Sequence, residues 1–283
     1  MLPKLPRSLK ALLRNPTGIV GLAILVPLIA VVLAGRLIVP TSPFEMVAQP
    51  LLWPGQNAGY PLGTDALGRD LVAGLIYGGR VSLTIALAST AISLIIGITI
   101  GAVGGYFGGW IDDSLNRVTA FFQTIPPFLF LIVLVAVLQP TLSKIVMSIA
   151  IVSWPTIARI VRAEFRSQKE REYVLAARSL GYSQTRIIVQ EILPNTIAPV
   201  IITTSVIVAT AILNESALSF LGLGDPNVIS WGSMIGAGRQ MLRTGWYLTA
   251  LPGVAILLTV LALNLLGEAI NDALNPRMVE DRS

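Results

Sequence analysis

Long apolar stretches separated by polar segments divide the chain into elements of membrane-spanning length. Apolar runs cover residues 18–33, 81–106, 142–160, 197–213 and 247–266. Their lengths are close to the roughly 20 residues that an α-helix needs to cross the hydrocarbon core of a bilayer. We therefore predict a transmembrane helix in each of these five runs.

The first apolar run follows a basic N-terminal segment, a pattern that a signal peptide shares. The run continues beyond residue 33, past Arg36 to Val39, and so exceeds the roughly 7 to 15 apolar residues of a signal-peptide core. This length, together with the further spans that follow, favours a retained transmembrane helix.

A sixth span is expected between residues 112 and 138, with an interruption. Asp112 and Asp113 open a helical pattern that meets Pro126 and Pro127. Two adjacent prolines remove two amide donors, so the helix must bend or break there. The apolar run after them, residues 128–138, is too short to span alone. We therefore expect a kinked or discontinuous third span.

Glycines recur at every fourth position in the second span and leave one helix face without side chains. Such a row allows another helix to pack very closely against it, and a sliding or rocking contact is the functional alternative to plain packing. The row consists of Gly97, Gly101, Gly105 and Gly109.

Two long polar segments separate the spans, at residues 40–80 and 214–246. At the end of the first, Thr64 or Asp65 is expected to cap a helix lying on the membrane surface, with Leu67 and Leu71 on its apolar face. The second segment is rich in turn residues but contains scattered apolar side chains. It is therefore expected to be re-entrant or interfacial.

Charge sets the expected orientation. If the two termini, residues 107–117 and residues 159–195 are cytoplasmic, most of the 20 Lys and Arg residues lie on the cytoplasmic side, as the positive-inside rule requires. Both termini are then cytoplasmic, and residues 40–80 and 214–246 are extracytoplasmic. We expect one transmembrane domain over residues 1–283.

Composition supports a membrane protein and weakens most enzymatic interpretations. The chain is 54% hydrophobic and 12% charged, with a mean hydropathy of +0.75, and its expected surroundings are membrane lipid. Cysteine and histidine are both absent, so thiolate chemistry and the commonest general base are excluded. The net charge of +5 is better explained by topology than by nucleic-acid binding.

The longest polar interval, residues 159–195, has the pattern of a helix, a turn and a second helix. Tyr173, Ala176, Ala177 and Leu180 recur at helical spacing and form one face rich in small and apolar residues. Gly181 is expected to end the first helix, Ser183 to cap the second, and Pro194 to stop the second helix. Two explanations remain at this point: helices resting on the membrane, or helices that dock on a partner.

The same loop carries a recognisable motif. Glu172, Ala176, Ala177 and Gly181, followed by Ile192, Leu193 and Pro194, resemble the EAA loop of the permease subunits of bacterial ATP-binding-cassette (ABC) importers. Further segments resemble the dipeptide, oligopeptide and nickel group of these permeases, in particular its dipeptide-permease C type. They are PLGTDALGRD at 61–70, LSFLGLG at 218–224, SWGSM at 230–234, GRQ at 238–240 and NLLGEAINDALNPR at 264–277.

This resemblance implies an all-α polytopic membrane protein with six transmembrane helices and the type I ABC importer permease fold. It also implies a bacterial inner-membrane location, a second permease subunit, two ATPase subunits or domains and an extracytoplasmic substrate-binding protein. The first helix of the loop would enter a cleft of an ATPase. The residues implied in ATPase coupling are Glu172, Tyr173, Ala176, Ala177, Leu180 and Gly181.

The substrate implied is a di- or oligopeptide, with nickel or other metal chelates and oligosaccharides as alternatives within the same family. Glu215 and Asn214, at the outer end of the fifth span, and Asn264 in the sixth are candidates for the substrate pathway or gate; local pairing is the alternative for Glu215. Glu268 and Asp272 share a face with Asn264, and ion pairing with Arg277 or a loop residue is expected for them.

No catalytic residue, metal site or bound cofactor is expected in this chain. No lysine stands in a G-x-x-x-x-G-K-[ST] loop, so ATP and Mg²⁺ are expected on partner subunits. The main rival, an ion-driven secondary transporter, would require acidic residues near the middle of the membrane and an internal repeat. An intramembrane hydrolase would require a Ser-Lys or paired-Asp site inside a span. None of these features is evident in the sequence.

Overall fold

The computed structural model describes residues 15–274, which form helices and connecting turns without β-strands. Five helices are long and apolar enough to cross a membrane, and a strongly bent pair makes a sixth span. The all-α fold with six spans is therefore confirmed. The helices are α1 (Pro16–Leu33), α2 (Gly35–Ile38), α3 (Leu71–Phe107), α4 (Gly109–Thr124), α5 (Pro127–Leu138), α6 (Leu142–Gln168), α7 (Glu172–Ser179), α8 (Gln184–Arg186), α9 (Leu193–Phe220), α10 (Trp231–Gly238) and α11 (Tyr247–Leu274).

The second span begins earlier than predicted. Helix α3 starts at Leu71 and continues for 37 residues, so the predicted surface helix and the second span are one element. Neither Thr64 nor Asp65 caps it; instead Asp70 Oδ1 accepts a hydrogen bond from the Val72 amide at 2.9 Å. Helix α3 is continuous through Gly78 and Gly79, which lie against Ser230 and the Trp231 ring.

Three of the four predicted glycines form the closest helix contact in this region. A Cβ added at Gly97, Gly101 or Gly105 would lie 2.5–2.7 Å from backbone or side-chain atoms of α6. Only hydrogen fits at these positions, so α3 and α6 approach almost backbone to backbone. Gly109 is different: its φ is +53° and a Cβ added there would meet nothing within 4 Å, and it is the first residue of α4.

The third span is broken, as the two prolines predicted. Helices α4 and α5 meet at an angle of 85°. Ile125 is extended, with φ −90° and ψ 132°, and α5 has only 12 residues. A ring at Pro126 and another at Pro127 prevent the amide hydrogen bonds that would carry α4 straight onward.

The prediction that Pro194 ends the second loop helix is wrong. The chain passes from α8 through a π-helical turn, Ile187–Ile192, directly into α9. The Leu193 amide bonds to the Ile188 carbonyl, five residues back. This wider turn accommodates the proline, which would otherwise collide with the preceding turn of an α-helix. The fifth span is therefore continuous with the loop.

The segment after the fifth span is more helical than predicted. Helix α9 extends to Phe220, so Asn214 and Glu215 lie inside it. The chain then turns and forms α10, which Ser230 and Ser233 cap reciprocally. Trp231 is buried at the start of α10, and its indole donates a hydrogen bond to the Leu75 carbonyl at 2.9 Å. This bond fastens α10 to α3.

Asp225, in the turn between α9 and α10, caps a helix distant in sequence. Its Oδ2 accepts a hydrogen bond from the Leu142 amide at 2.9 Å, at the first residue of α6. Burial raises the pKa of Asp225, but hydrogen bonds from the Asn227 and Leu142 amides outweigh it and leave the pKa below its ordinary value. The turn is thus attached to the start of α6.

A buried ion pair joins α4 to α6. Asp112 is 5% exposed and accepts two hydrogen bonds from the Arg162 guanidinium, one of them from Nη2 at 2.8 Å. Arg166, one helical turn further, lies 3.7 Å from the same carboxylate. A fork of two parallel bonds fixes orientation as well as distance, so the first turn of α4 is held against α6.

The described ends of the chain lie side by side. The side-chain amide of Asn15, before α1, donates a hydrogen bond to Asp272 near the end of α11 at 3.0 Å. The partner expected for this carboxylate, Arg277, lies outside the described residues. The observed contact places the start of the first span beside the end of the last.

We predict that Gly101→Ala lowers the free energy of unfolding by about 1 to 3 kcal/mol, because a methyl group in this contact forces the two backbones apart. The measurement is denaturant unfolding of the purified chain in detergent micelles. Gly253→Ala in α11 is the matched control, since its Cβ meets nothing within 4 Å. Equal losses in the two variants would contradict the close α3–α6 contact.

We predict that Asp112→Asn lowers the free energy of unfolding by about 1.5 to 3 kcal/mol, because it removes a charged acceptor from Arg162. Asp113→Asn is the control: Asp113 is exposed, and a change within about 0.5 kcal/mol is expected there. The same unfolding assay compares them. A loss at Asp113 as large as that at Asp112 would show that the ion pair is not the cause.

Candidate functional sites

Helix α7 ends in the turn that the sequence predicted. Leu180 follows the last helical residue, and Gly181 adopts the left-handed conformation with φ +76°. The Tyr182 amide then bonds to the Ala177 carbonyl at 3.1 Å, and the Gly181 amide bonds to Arg178 at 3.0 Å. These bonds satisfy carbonyls that the end of a helix leaves free, and glycine suits the left-handed position because it has no Cβ.

The second helix of the loop begins as predicted. The hydroxyl of Ser183 accepts a hydrogen bond from the Arg186 amide at 3.4 Å. Arg186 in turn lies over the ring of Tyr182, 3.8 Å from its centroid. The turn between α7 and α8 is therefore held by contacts on both sides of Gly181.

The four residues predicted to share one face of α7 divide between two faces. Ala177 is 4% exposed and, with Val174, packs into a cluster that includes Tyr106, Phe165 and Ile187 of the same chain. The prediction that all four residues lie on one exposed face is therefore wrong for Ala177. Helical spacing groups Ala177 with its neighbours, but the core of the chain lies along the Val174 side of the helix, and Ala177 is adjacent to it.

The opposite face of α7 is uncovered. Glu172, Tyr173, Ala176 and Leu180 are exposed, and Leu180 has 73% of its surface accessible. Tyrosine, alanine and leucine side chains together make an apolar surface at the tip of the loop. This exposed face, defined as Glu172, Tyr173, Ala176 and Leu180, has the composition of a docking surface.

The buried face of α7 packs against the ends of α3 and α6, the two helices joined by the glycine row. Val174 and Ala177 contact the cluster formed by α3 and α6 side chains. Arg178 lies over the Tyr106 ring at 5.6 Å, and Lys169 donates a hydrogen bond to the Tyr106 carbonyl at 3.5 Å. Helix α7 is therefore in direct contact with the ends of α3 and α6.

The ion pair of Asp112 with Arg162 lies beside this attachment and was not predicted. The charge count treated Arg162 only as a topology signal. Arg162 and Arg166 are four residues apart and so share a helix face, and this spacing is the signal from which a shared anionic partner could have been predicted. The sequence did not indicate which of the acidic residues occupies that position, because 50 residues separate the two partners.

Glu215 is buried inside the chain. It is 1% exposed, and its two carboxylate oxygens accept hydrogen bonds from Ser82 at 2.9 Å and Ser219 at 2.7 Å. The Trp231 amide bonds to the same Ser82 hydroxyl at 3.3 Å. In this arrangement Glu215 pairs locally and joins α3, α9 and the start of α10.

The other two residues predicted for the pathway are placed separately. Asn214 is half-buried beside Glu215 in α9, whereas Asn264 is exposed on α11. No side-chain hydrogen bond joins Asn214, Glu215 and Asn264 to one another within the described part of the chain. A pathway or gate role for these residues stays a prediction.

Comparison with known proteins identifies the family. Residues 93–280 match the family described as binding-protein-dependent transport system inner membrane component. The chain is 36% identical over 272 residues to a dipeptide transport system permease protein of Alkalihalophilus pseudofirmus, with 96% of this chain and 89% of that protein covered. It is 37% identical over 270 residues to a di/tripeptide transport system permease protein of Pseudomonas aeruginosa, covering 93% and 89%.

Solved structures share the fold. A chain in the inward-facing MetNI methionine ABC transporter superposes with a TM-score of 0.58 at 17% identity, covering 72% of this chain and 98% of that chain. A second crystal form gives a TM-score of 0.57 at 16% identity, covering 71% and 96%. The likeness concerns the helical architecture of a type I importer permease.

The helical architecture, the EAA loop and these matches lead to one assignment. The chain belongs to the binding-protein-dependent transport system inner membrane components, the membrane-spanning permeases of ABC importers.

Proposed function

We propose that this chain forms half of the translocation pathway of an ATP-driven importer of short peptides, and that α7 is the element through which ATP hydrolysis acts on it. The exposed face of α7 carries the proposal. Relatives that match nearly the whole chain are named dipeptide and di/tripeptide permeases, which supports a peptide substrate.

The proposal assigns the steps of transport to several different subunits. A second permease completes the pathway, two ATPase subunits or domains bind ATP and Mg²⁺, and an extracytoplasmic binding protein delivers the peptide. The chain has no Walker A segment, which agrees with hydrolysis on separate subunits. Membrane lipid surrounds the six spans.

In the proposed orientation, α7 and both termini lie in the cytoplasm. The contact between Asn15 and Asp272 supports termini on one side of the membrane. The basic residues of segments 1–16 and 159–195 support the cytoplasmic side. Segments 40–80 and 214–246 are then extracytoplasmic, and their helical portions belong to α3, α9 and α10.

Coupling in this arrangement is mechanical. The exposed face of α7 contacts an ATPase, while its buried face contacts α3 and α6. When the ATPase pair closes, α7 moves with its docking cleft, and the ion pair of Asp112 with Arg162 carries the motion to the bent pair α4 and α5. Such a change requires the docked helix to interact differently with the two states of the ATPases.

We predict that Leu180→Asp lowers the affinity of the permease pair for the ATPase subunits at least tenfold, because a charge replaces an apolar side chain at the docking surface. Affinity is measured by titrating ATPase onto permeases in nanodiscs, and substrate-stimulated ATP hydrolysis should fall with it. Val189→Asp is the control, since Val189 is a 52% exposed apolar residue of the same loop outside α7. Normal affinity with Leu180→Asp would remove the docking role.

We predict that Gly181→Val abolishes peptide-stimulated ATP hydrolysis although the protein still inserts, while Gly181→Asn keeps most of it. A β-branched side chain disfavours the left-handed conformation observed at Gly181, whereas asparagine tolerates it. No atom lies within 4 Å of a Cβ added there, so backbone conformation alone separates the variants. The measurement is ATPase activity of the reconstituted complex. Equal activity in both variants would contradict the requirement for this turn.

A further inference from the structure

A cavity of about 370 Å³ lies where three segments of the chain meet. One wall comes from the PLGTDALGRD segment and the start of α3, a second from the GLGDP turn after α9, and a third from α10 with its SWGSM sequence. The family resemblance depends in part on these motifs, and the proposed coupling mechanism gives them no role. Their convergence on one space suggests a shared purpose.

The walls are largely apolar and come from several elements. The volume of the cavity is at the lower end of the range for small-molecule sites, about 300 to 1,000 Å³. The cavity therefore suits a small guest with an apolar body. The apolar lining includes Phe44, Leu71, Val228, Ile229, Met234 and Leu248.

Arg69 is a cation in this cavity that no carboxylate of the described chain neutralises. Among the side chains that the structure describes, every ion pair involves Asp112, and the buried Nε of Arg69 has no hydrogen-bond partner. The guanidinium lies over the Phe44 ring, 5.5 Å from its centroid. A guanidinium presents donors in a fork that matches a carboxylate. Its unused donor is therefore available to an anionic group of a guest.

Three carboxylates line the same cavity, and backbone amides occupy part of each. Asp65 Oδ1 accepts hydrogen bonds from the Leu67 and Arg69 amides at 2.8 and 2.9 Å, and Asp70 Oδ1 caps α3. Asp225 uses both oxygens, on Leu142 and Asn227. The amides fix these groups in place, but an amide is neutral and does not pair the carboxylate with a cation. A simple anion would be repelled, so the guest must also carry a cation.

A guest that meets all of these conditions is small, carries both charges and has an apolar side chain. We propose that the cavity is a binding site for a short zwitterionic peptide, with its terminal carboxylate on Arg69, its ammonium group toward Asp65 and Asp70, and an apolar side chain against the walls. The inference rests on the proposed function, since it names a place on this chain that a transported peptide occupies.

The site lies at the extracytoplasmic ends of the spans in the proposed orientation. Asp65 and Arg69 belong to segment 40–80, and Asp225 belongs to segment 214–246. A peptide released at the extracytoplasmic face would meet this cavity before it reaches the part of the helices inside the membrane. The cavity would thus hold the peptide at the outer side of the importer.

The test measures peptide binding to the assembled permease and ATPase complex in nanodiscs, without the binding protein, by isothermal titration calorimetry. The probes are the dipeptide Gly-Leu and its C-terminal amide, which lacks the carboxylate. We expect the wild-type complex to bind the free acid at least tenfold more tightly than the amide. Equal affinity for the two probes, or no binding of the free acid, would overturn the proposal without any variant.

Arg69→Gln should lower the affinity for the free acid to that for the amide and leave the amide unaffected. Arg243→Gln is the matched control, because Arg243 is exposed in the same extracytoplasmic segment as α10 and does not line the cavity. It should bind both probes as the wild type does. Unchanged affinity for the free acid in Arg69→Gln would overturn the assignment of the carboxylate to Arg69.

A second arm separates a transported peptide from a loop of the binding protein as the guest. Affinity of the peptide-free binding protein for the complex should be the same in wild type and Arg69→Gln. If Arg69→Gln weakens binding-protein docking but not dipeptide binding, the cavity is a protein-docking site and the proposal is wrong.

Uptake of labelled Gly-Leu by the wild-type complex with its binding protein tests the proposed function separately. Uptake of this peptide together with normal dipeptide binding by Arg69→Gln would overturn only the cavity assignment. Absence of uptake for Gly-Leu and for other short peptides would overturn the peptide function itself, and with it the proposed guest.

Discussion

The contact between α3 and α6 is the constraint on which the rest of this permease depends. Where Gly97, Gly101 and Gly105 face α6, any side chain would collide with its backbone or with the base of its side chains. The hydrophobic effect does not draw helices together within lipid, so association relies on close packing and interhelical hydrogen bonds. The glycine row supplies that packing over about two helical turns. It also fixes where the ends of both helices lie.

The position of α7 is a consequence of that contact. Tyr106 and Phe165, near the ends of α3 and α6, form the surface against which Val174 and Ala177 pack. The same ends carry Arg162, whose bond to Asp112 attaches α4. A short helix with one face on this junction and the other uncovered can pass motion from a partner to several spans at once. A helix resting only on lipid would have no such rigid support.

Buried charge in this chain is treated in two ways. Asp112 faces arginines and Glu215 accepts two hydroxyl donors, so each is satisfied inside the protein and serves to join helices. Burial without such partners would cost several kcal/mol. Arg69 differs, because its buried Nε has no partner within residues 15–274. That difference separates a structural ion pair from a group available to a ligand.

Much of the architecture was determined by the sequence alone. Apolar runs of bilayer length specified the spans, because lipid leaves the backbone no other partner than its own helix. Adjacent prolines specified the break before α5, and Gly181 specified the turn after α7, since both act through local backbone geometry. The EAA motif indicated the family for the same reason: it is a local pattern.

Tertiary structure decided what depends on distant neighbours. Periodicity placed Ala177 on a face with Tyr173, but only the position of Phe165 and Tyr106 showed that Ala177 points inward. Pro194 stops an α-helix in isolation, yet a π-helical turn carries the chain past it into α9. The pairing of Asp112 with Arg162, and of Glu215 with Ser82, joins residues 50 and 133 positions apart. Local patterns contain no information about such distances, because they arise when separate helices pack.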